Sequence, residues 1–225
     1  MVRFVAFPLV VGICLVAGPL RAAAMQSFPR PLKVVVYADK GPGGVGAIEW
    51  CRLVDDSPDM ELKLVDGSLI QEGVLAGHDV LVMPGGDSLE EFKSLGSAGI
   101  DKLREFVRNG GGYIGTCAGC SLLTDGNKRI CMMPWRRTGC EPDLFFPRIK
   151  VTDEGARALG LKAGRYPIRY HGGPFLWPTT NVIADANFQV WGLIDSEATY
   201  EGRVSQTKKA SSGKCDTAGR LMRAA

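Results

Sequence analysis

Short apolar runs, separated by segments of helix length, constrain the fold of this chain more than any other feature of its sequence. Four segments are expected to form strands: apolar runs at 33–38, 80–83 and 112–116, and residues 61–65, where polar and apolar residues alternate. Runs rich in β-branched residues are typical of strands buried on both faces. Because segments of this length connect parallel neighbours, the pattern predicts an α/β fold, a three-layer sandwich with a mostly parallel sheet.

Helices are predicted between these strands, at residues 47–54, 88–95 and 100–109. Ser88 and Glu91 have the spacing of a capping box, in which two side chains bind backbone N–H groups at a helix start. Beyond Cys117, further strands are expected at residues 148–151, 167–170 and 182–184. The sequence contains no internal repeat and no linker that would separate a second domain.

Composition and charge limit the partners of the protein. Its 225 residues, 45% apolar and 23% charged, suit one soluble domain and exclude collagen-like, disordered and multi-span membrane classes. The formal charge of +3 arises from Arg3, Arg21 and the basic residues of 201–225, so the body carries about −3. Nucleic acid is therefore not an expected partner.

The N-terminal segment has the features of an export signal. Arg3 precedes an apolar stretch at residues 4–20, and three alanines at 22–24 are acceptable to a signal peptidase. We predict a signal peptide at 1–24, a domain at 25–204 and a disordered tail at 205–225, in a secreted or periplasmic protein. Membrane contact is expected only if the segment stays uncleaved as an anchor.

Cleavage of the predicted signal leaves six of the seven cysteines, and these can form disulfides in an oxidising compartment. Cys131 and Cys140 lie in a segment rich in Pro, Gly and Arg, where a short bridge is expected. Together with Cys117 and Cys120 they also permit a zinc site. Zinc ribbons usually have two close pairs, however, and here only one pair is close, so neither a metal nor another cofactor is predicted.

Residues 112–120 run from an apolar strand into a turn rich in Gly and Ala. Small neighbours on both sides of Cys117 are what a nucleophile elbow needs, and the following helix start favours a thiolate. Backbone N–H groups of Gly85, Gly86 and Ala118 are candidates to bind an oxyanion. The pattern predicts Cys117 as a catalytic nucleophile; the alternative is a small buried apolar residue.

A base for this cysteine must come from a short list, because the sequence has two histidines. His171 is the candidate if its loop folds over the elbow, and otherwise it binds loop backbone. His78, in a polar turn before the third strand, is predicted to be structural or solvated. Cys117 and Cys120 also form a C-x-x-C pair, as in thiol oxidoreductases, but such folds carry the pair after an early strand.

Three segments together resemble a known family: 80–86 (VLVMPGG), 110–120 (GGGYIGTCAGC) and 170–174 (YHGGP). They are similar to the biotin-protein ligase N-terminal domain family of the class I glutamine amidotransferase-like superfamily. The resemblance spans residues 33–204. It implies a flavodoxin-like fold, Cys117 at the elbow, and Tyr170, Gly172 and Gly173 on the substrate-binding rim beside it. It does not imply biotin ligation, since the ligase's catalytic domain would lie outside this segment.

The sequence departs from this superfamily at its end. True amidotransferases pair the cysteine with a late His-x-Glu motif, and no histidine follows His171. Residues 200–204 (YEGRV) match the lead-in to such a motif, after which we expect the polar tail to replace it. Two functions stay open: a cysteine-dependent amidohydrolase or acyl-transfer enzyme for a small-molecule or peptide-like substrate, and a binding module without a complete triad. Thiol redox chemistry is a third.

Overall fold

The computed structural model describes residues 3–6, 14–17, 29–39, 41, 44–133, 135–140, 146, 148–170, 173–178, 188–189 and 191–194. The helices are α1 Gly44–Asp55, α2 Gly67–Gln71, α3 Ser88–Arg108, α4 Ala118–Leu122 and α5 Asp153–Leu159, with a 3₁₀ turn at Val74–Gly77. The strands are β1 Arg3–Ala6, β2 Cys14–Ala17, β3 Leu32–Tyr37, β4 Met60–Val65, β5 Val80–Met83, β6 Gly112–Gly115, β7 Trp135–Cys140, β8 Arg148–Val151, β9 Gly164–Pro167, β10 Pro174–Pro178, β11 Phe188–Gln189 and β12 Gly192–Ile194.

Four parallel strands form the centre of the main sheet, in the order β4-β3-β5-β6. In chain order this is 2-1-3-4, the flavodoxin-like arrangement. On the β6 side the sheet continues through β2, β1 and β11, and β2 runs antiparallel to β6. Two antiparallel sheets, β10-β7 and β12-β8-β9, lie apart from it. The fold is thus the predicted α/β sandwich.

Strand β3 is buried on both faces from Val34 to Tyr37, and its alternate residues pack into two separate cores. Val34 and Val36 pack with Val54 and Trp50 of α1 on one face. Val35 and Tyr37 face the other core, which is completed by residues of α2, α3 and α4, among them Ile70, Leu95, Leu103 and Leu122. Because both faces of β3 pack against other parts of the protein, its sequence is an almost continuous run of apolar residues.

Asp79 fixes the register of three strands at the amino edge of the sheet. Its backbone N–H donates to Lys33 O (2.9 Å), and its carbonyl accepts from Gly112 N–H (2.8 Å). Its carboxylate accepts from Lys33 N–H (2.8 Å) and from both terminal nitrogens of Arg30 (2.7 Å each). The Arg30 guanidinium is the main reason that the pKa of Asp79 falls to about 2.

Helix α3 differs from the sequence prediction at its start and agrees with it in the middle. The N-cap is Asp87, whose carboxylate accepts from Leu89 N–H (2.8 Å) and Glu90 N–H (3.4 Å), so the Ser88–Glu91 capping box is wrong by one residue. Ser88 is instead buried. The backbone leaves the helical region at Gly96 (φ 57°, ψ −177°), which separates the two predicted helical stretches.

Most predicted elements of the central sheet are confirmed to within one residue at either end. The strand predicted at 167–170 is wrong, because β9 ends at Pro167, which has no N–H to continue the ladder. Residues 182–184 and the tail at 205–225 lie outside the described part of the chain. Within that part, no helix has the length and hydropathy needed to cross a membrane.

Candidate active site

Cys117 lies at the junction of β6 and α4 in a backbone conformation that L-residues rarely adopt. Its φ is 50° and its ψ is −103°, and α4 begins at the next residue. A non-glycine residue held in this way costs about 1–3 kcal/mol, so the surroundings must enforce it. A sharp strand-to-helix turn of this kind is the geometry that a nucleophile elbow requires; we refer to residues 115–119 as the elbow.

Backbone hydrogen bonds hold this turn against the end of β5. Thr116 N–H donates to Met83 O (3.0 Å), and Gly119 N–H donates to Pro84 O (3.2 Å). Ser121 N–H donates back to Cys117 O (3.0 Å). The strained residue is therefore fixed from both sides, by the neighbouring strand and by the helix that follows.

Close backbone approach explains the glycines around the cysteine. A Cβ on Gly119 would lie 2.1 Å from Met83 O, and one on Gly115 would lie 2.8 Å from Cys120 N. A Cβ on Gly85 would lie 2.9 Å from Cys117 Cβ and 3.6 Å from its Sγ. No side chain larger than hydrogen fits at these positions without moving the elbow.

A Gly119→Ala variant is therefore expected to lose about 3 kcal/mol of folding free energy, because the new methyl group overlaps a carbonyl held in the sheet. Thermal or urea unfolding measures this loss. Gly77→Ala is the matched control, since nothing lies within 4 Å of a Cβ there, and it should change stability little. Equal stability of the two variants would show that β5 and the elbow are not in tight contact.

Backbone N–H groups lie close to Cys117. Cys117 is half-buried and takes no part in a disulfide. Ala118 is the first residue of α4, and the N–H groups of a first helical turn have no partner within the helix. Gly85 contacts Cys117, whereas Gly86 is exposed and leads into the N-cap of α3. Of the predicted oxyanion donors, Gly85 and Ala118 thus directly adjoin the cysteine.

The predicted rim is ordered on both sides of the histidine. Tyr170 is fully buried, and its hydroxyl donates to Gly173 O. Gly173 packs against the Tyr170 ring, with its Cβ position 3.3 Å from a ring carbon. Strand β10, which starts at the next residue, contacts α4 of the elbow. His171 and Gly172 themselves lie outside the described residues.

Cys120, three residues after the candidate nucleophile, is disulfide-bonded and fully buried. Cys117 is not its partner, which argues against a redox-active C-x-x-C disulfide. The expected bridge between Cys131 and Cys140 is wrong, because Cys131 is a thiol on an exposed loop. The Cys120 disulfide also removes one thiolate that a zinc site would need, and the described residues contain no group of three potential metal ligands.

His78 is held away from the elbow, at the opposite edge of the sheet. It follows the 3₁₀ turn at Val74–Gly77, and its Nδ1 lies 2.8 Å from Val74 O. Because β5 starts two residues later, His78 belongs to the amino edge, while Cys117 follows the carboxyl end of β6. The structural role predicted for His78 agrees with this position.

Glu91 is a buried acid that the sequence pattern assigned to a helix cap. Its side chain is fully buried, and neither carboxyl oxygen has a hydrogen-bond partner among the described residues. Burial raises its pKa from 4.5 to about 8, Asp87 adds to the rise, and Arg129 opposes it. Glu91 is therefore mostly neutral at pH 7. Its Cγ lies 2.9 Å from the Cβ position of Gly41, which follows β3 at the carboxyl edge of the sheet.

Two buried tyrosines lie near enough to Glu91 for its charge to affect their pKa values. Tyr113 donates its hydroxyl to Gly119 O in the elbow (2.7 Å), and burial, followed by the field of Glu91, raises its pKa well above 10. Burial likewise raises the pKa of Tyr37 to about 12, although a hydrogen bond with Ser94 lowers it. Both phenols are therefore neutral hydrogen-bonding groups rather than bases.

Replacing Glu91 by Gln should remove a pH dependence of stability. Because the folded-state pKa is raised, stability is complete below pH 4.5 and declines as pH rises toward 8, by roughly 4–5 kcal/mol in total. We expect Glu91→Gln to match the parent protein near pH 4 and to exceed it by several kcal/mol at pH 8. Urea unfolding at a series of pH values measures the difference.

Glu72→Gln is the control, since Glu72 is exposed at the end of α2 and should leave the pH profile unchanged. A Glu91→Gln profile that falls between pH 5 and pH 8 as steeply as that of the parent would show that Glu91 ionises freely in the folded protein.

Comparison with known families agrees with the sequence resemblance. Residues 50–124, one third of the chain, match the family model described as biotin-protein ligase, N terminal. The matched segment runs from within α1 to just beyond α4 and contains β4, β5, β6 and Cys117. It therefore includes the elbow and the strand ends that surround it. No curated protein and no solved structure matches the chain.

Proposed function

We propose that this protein is a cysteine-dependent amidohydrolase or acyl-transfer domain, in which Cys117 attacks the carbonyl carbon of a small amide or peptide-like substrate. One observation carries the proposal: Cys117 is held in a strained conformation (φ 50°) between closely packed glycines at the carboxyl edge of a parallel sheet. A side chain with only a packing role would not need this conformation.

The reaction requires groups that stabilise the charges formed during attack. The thiolate adds to the carbonyl carbon, and the carbonyl oxygen becomes an oxyanion that the backbone N–H groups of Ala118 and Gly85 or Gly86 can bind. The C–N bond then breaks, and the amine takes a proton from the general acid. This leaves a thioester on Cys117, which water or an acceptor amine resolves.

His171 is the residue we propose as base and acid. The sequence has two histidines, and His78 lies at the opposite edge of the sheet. Ordered residues flank His171, with Tyr170 and Gly173 joined by a hydrogen bond, and β10 contacts the elbow helix. These contacts support a position of the loop near Cys117.

A binding or accessory module is the second candidate. It is favoured by the lack of any histidine after His171, which leaves no late His-x-Glu pair in the printed sequence. In that case the glycine contacts would preserve the turn as a scaffold, and the thiol would have no chemical role. The reactivity of the thiol distinguishes the two candidates.

Native Cys117 should be alkylated by iodoacetamide at pH 6 at least tenfold faster than Cys131, since the helix start stabilises its thiolate. Peptide mass spectrometry follows both sites in one sample, and exposed Cys131 serves as the internal control. We expect His171→Asn to slow the labelling of Cys117 and to leave that of Cys131 unchanged. Cys117 reacting more slowly than Cys131 in the folded protein would contradict catalysis and favour the binding module.

We also propose that the domain works outside the cytoplasm. The apolar stretch at 4–20 and the alanines at 22–24 support export, and the buried disulfide of Cys120 suits an oxidising compartment. Removal of 1–24 would take away β1 and β2 and leave β6 at the sheet edge. Residues 1–24 therefore cannot both be removed during export and supply two strands of the main sheet.

We expect the intact mass of the exported protein to be that of a chain that begins at Met25. The N–H groups of Gly112 and Thr116 donate to residues next to or at the end of β5. Because N–H groups along a strand alternate in direction, those of Tyr113 and Gly115 point toward β2. Amide exchange at Tyr113 and Gly115 should accordingly be faster in the processed chain than in the full chain, while that at Ile114 stays slow. An exported chain that retains residues 1–24 would overturn the cleavage proposal.

A further inference from the structure

Strand β4 forms one edge of the main sheet. It pairs with β3 on one side, and no strand of the described chain pairs with it on the other. Leu32 N–H donates to Asp59 O (2.8 Å), and the parallel register continues from there to the end of β4. Because hydrogen-bonding groups alternate along a strand, the odd-numbered residues of β4 bond to β3. The backbone N–H and C=O groups of Leu62 and Leu64 therefore point outward.

This edge is regular and partly apolar. Proteins often protect an edge strand with a proline or a bulge, but β4 has no proline and keeps an unbroken register over its six residues. Met60 and Leu62 pack against the core on the α1 side, and Leu64, which shares their face of the strand, is 51% exposed. Ile48 of α1 is 52% exposed. The edge is therefore open to pairing with a further strand.

The sequence of β4, MELKLV, is complementary to itself when two copies run antiparallel. With Leu62 opposite Leu62 of a second copy, Glu61 of each copy lies opposite Lys63 of the other. Met60 of each copy then lies opposite Leu64 of the other, on the apolar face. Glu61 and Lys63 are exposed, and neither forms an ion pair within the described part of the chain. Opposite charges placed across an antiparallel pair stabilise it.

Neighbouring alignments bring like charges together. A pair centred on Glu61 opposes two carboxylates, and a pair centred on Lys63 opposes two ammonium groups. The charge of Glu61 reaches Arg30, but that guanidinium is bound to Asp79 (2.7 Å). The alignment centred on Leu62 also suits the backbone, because a residue with outward N–H and C=O groups can exchange two hydrogen bonds with its own copy. Charge and backbone pattern thus select the same alignment.

We propose that β4 is a dimerisation edge: a second copy of this chain pairs antiparallel with it about Leu62, and the two main sheets become one. A two-fold axis through this pair puts α1 of both copies on the same face of the joined sheet. Because α1 contacts both β3 and β4, and strands lie about 4.8 Å apart, the two helices come to about 10 Å, the spacing of packed helices. Exposed Ile48 and Leu64 supply apolar surface on this face.

Charge reversal tests the alignment, with sedimentation equilibrium of the full chain as the measurement. The parent should have twice the 24.2 kDa mass of one chain. Glu61→Lys and Lys63→Glu should each weaken association at least tenfold, because each places like charges opposite each other. The two variants mixed in equal amounts should form a heterodimer, and the double variant Glu61→Lys/Lys63→Glu should dimerise as the parent does. Lys162→Glu, at an exposed position after α5, is the control and should leave the dimer intact.

Amide hydrogen exchange tests the edge itself. The amides of Leu62 and Leu64 should exchange at least tenfold faster in Lys63→Glu than in the parent dimer, while that of Glu61, bonded to β3, stays slow in both. Cys117→Ser should dimerise normally, since β3 and β5 separate β4 from β6, so this test does not depend on the proposed catalysis.

Three results would each overturn the proposal. The first is a parent chain that stays monomeric at about 0.1 mM. The second is a dimer that both charge reversals leave intact. The third is slow exchange at Leu62 and Leu64 in a monomer, which would mean that a segment of the same chain covers the edge.

Discussion

The backbone contact between the end of β5 and the elbow determines the geometry of the candidate site. Met83 O and Pro84 O accept hydrogen bonds from Thr116 and Gly119. The same close approach leaves no room for a Cβ at Gly119. The hydrogen bonds can therefore form only because this residue is a glycine. Cys117 adopts its strained backbone between Thr116 and Gly119, which are hydrogen-bonded to the last residue of β5 and to the residue after it.

Buried polar groups accumulate beneath this contact. Tyr113 holds Gly119 O from within the core, and Glu91 lies near enough to that phenol to affect its ionisation. A buried carboxyl without partners destabilises the folded state as soon as it ionises, which is a high cost for a position that leucine would fill. The burial of Glu91 therefore lowers the stability of the chain at neutral pH, close to the candidate site at Cys117.

The sequence predicted those parts of the fold that depend on local pattern. Apolar runs located the four central strands, and small residues around Cys117 located the elbow, because each rests on side chains close together in the chain. Glu91 was misread, since the capping register is set by Asp87 one residue earlier. Its spacing from Ser88 and Leu95 puts it on the same buried helical face, but a capping role offered a simpler explanation of the sequence.

The disulfide was misread for a related reason. Spacing in the chain favoured a bridge from Cys131 to Cys140, whereas Cys131 lies on an exposed loop and the bonded cysteine is Cys120 in the core. Disulfide pairing depends on distances between elements that are remote in sequence, and spacing alone does not give those distances. The position of His171 relative to Cys117 is a question of the same kind.

Strand polarity separates the residues of the candidate site from those that fix the register of the sheet. Every strand of a parallel sheet ends at the same edge, so the loops after β3, β5 and β6 bring Gly41, Gly85 and Cys117 to the carboxyl edge. The amino edge holds Asp79 and His78, whose contacts fix strand register and close a turn. A histidine at that edge cannot reach the cysteine, however reactive the cysteine is. The catalysis proposed for Cys117 would therefore need His171, the other histidine of the sequence, which Tyr170 and Gly173 flank.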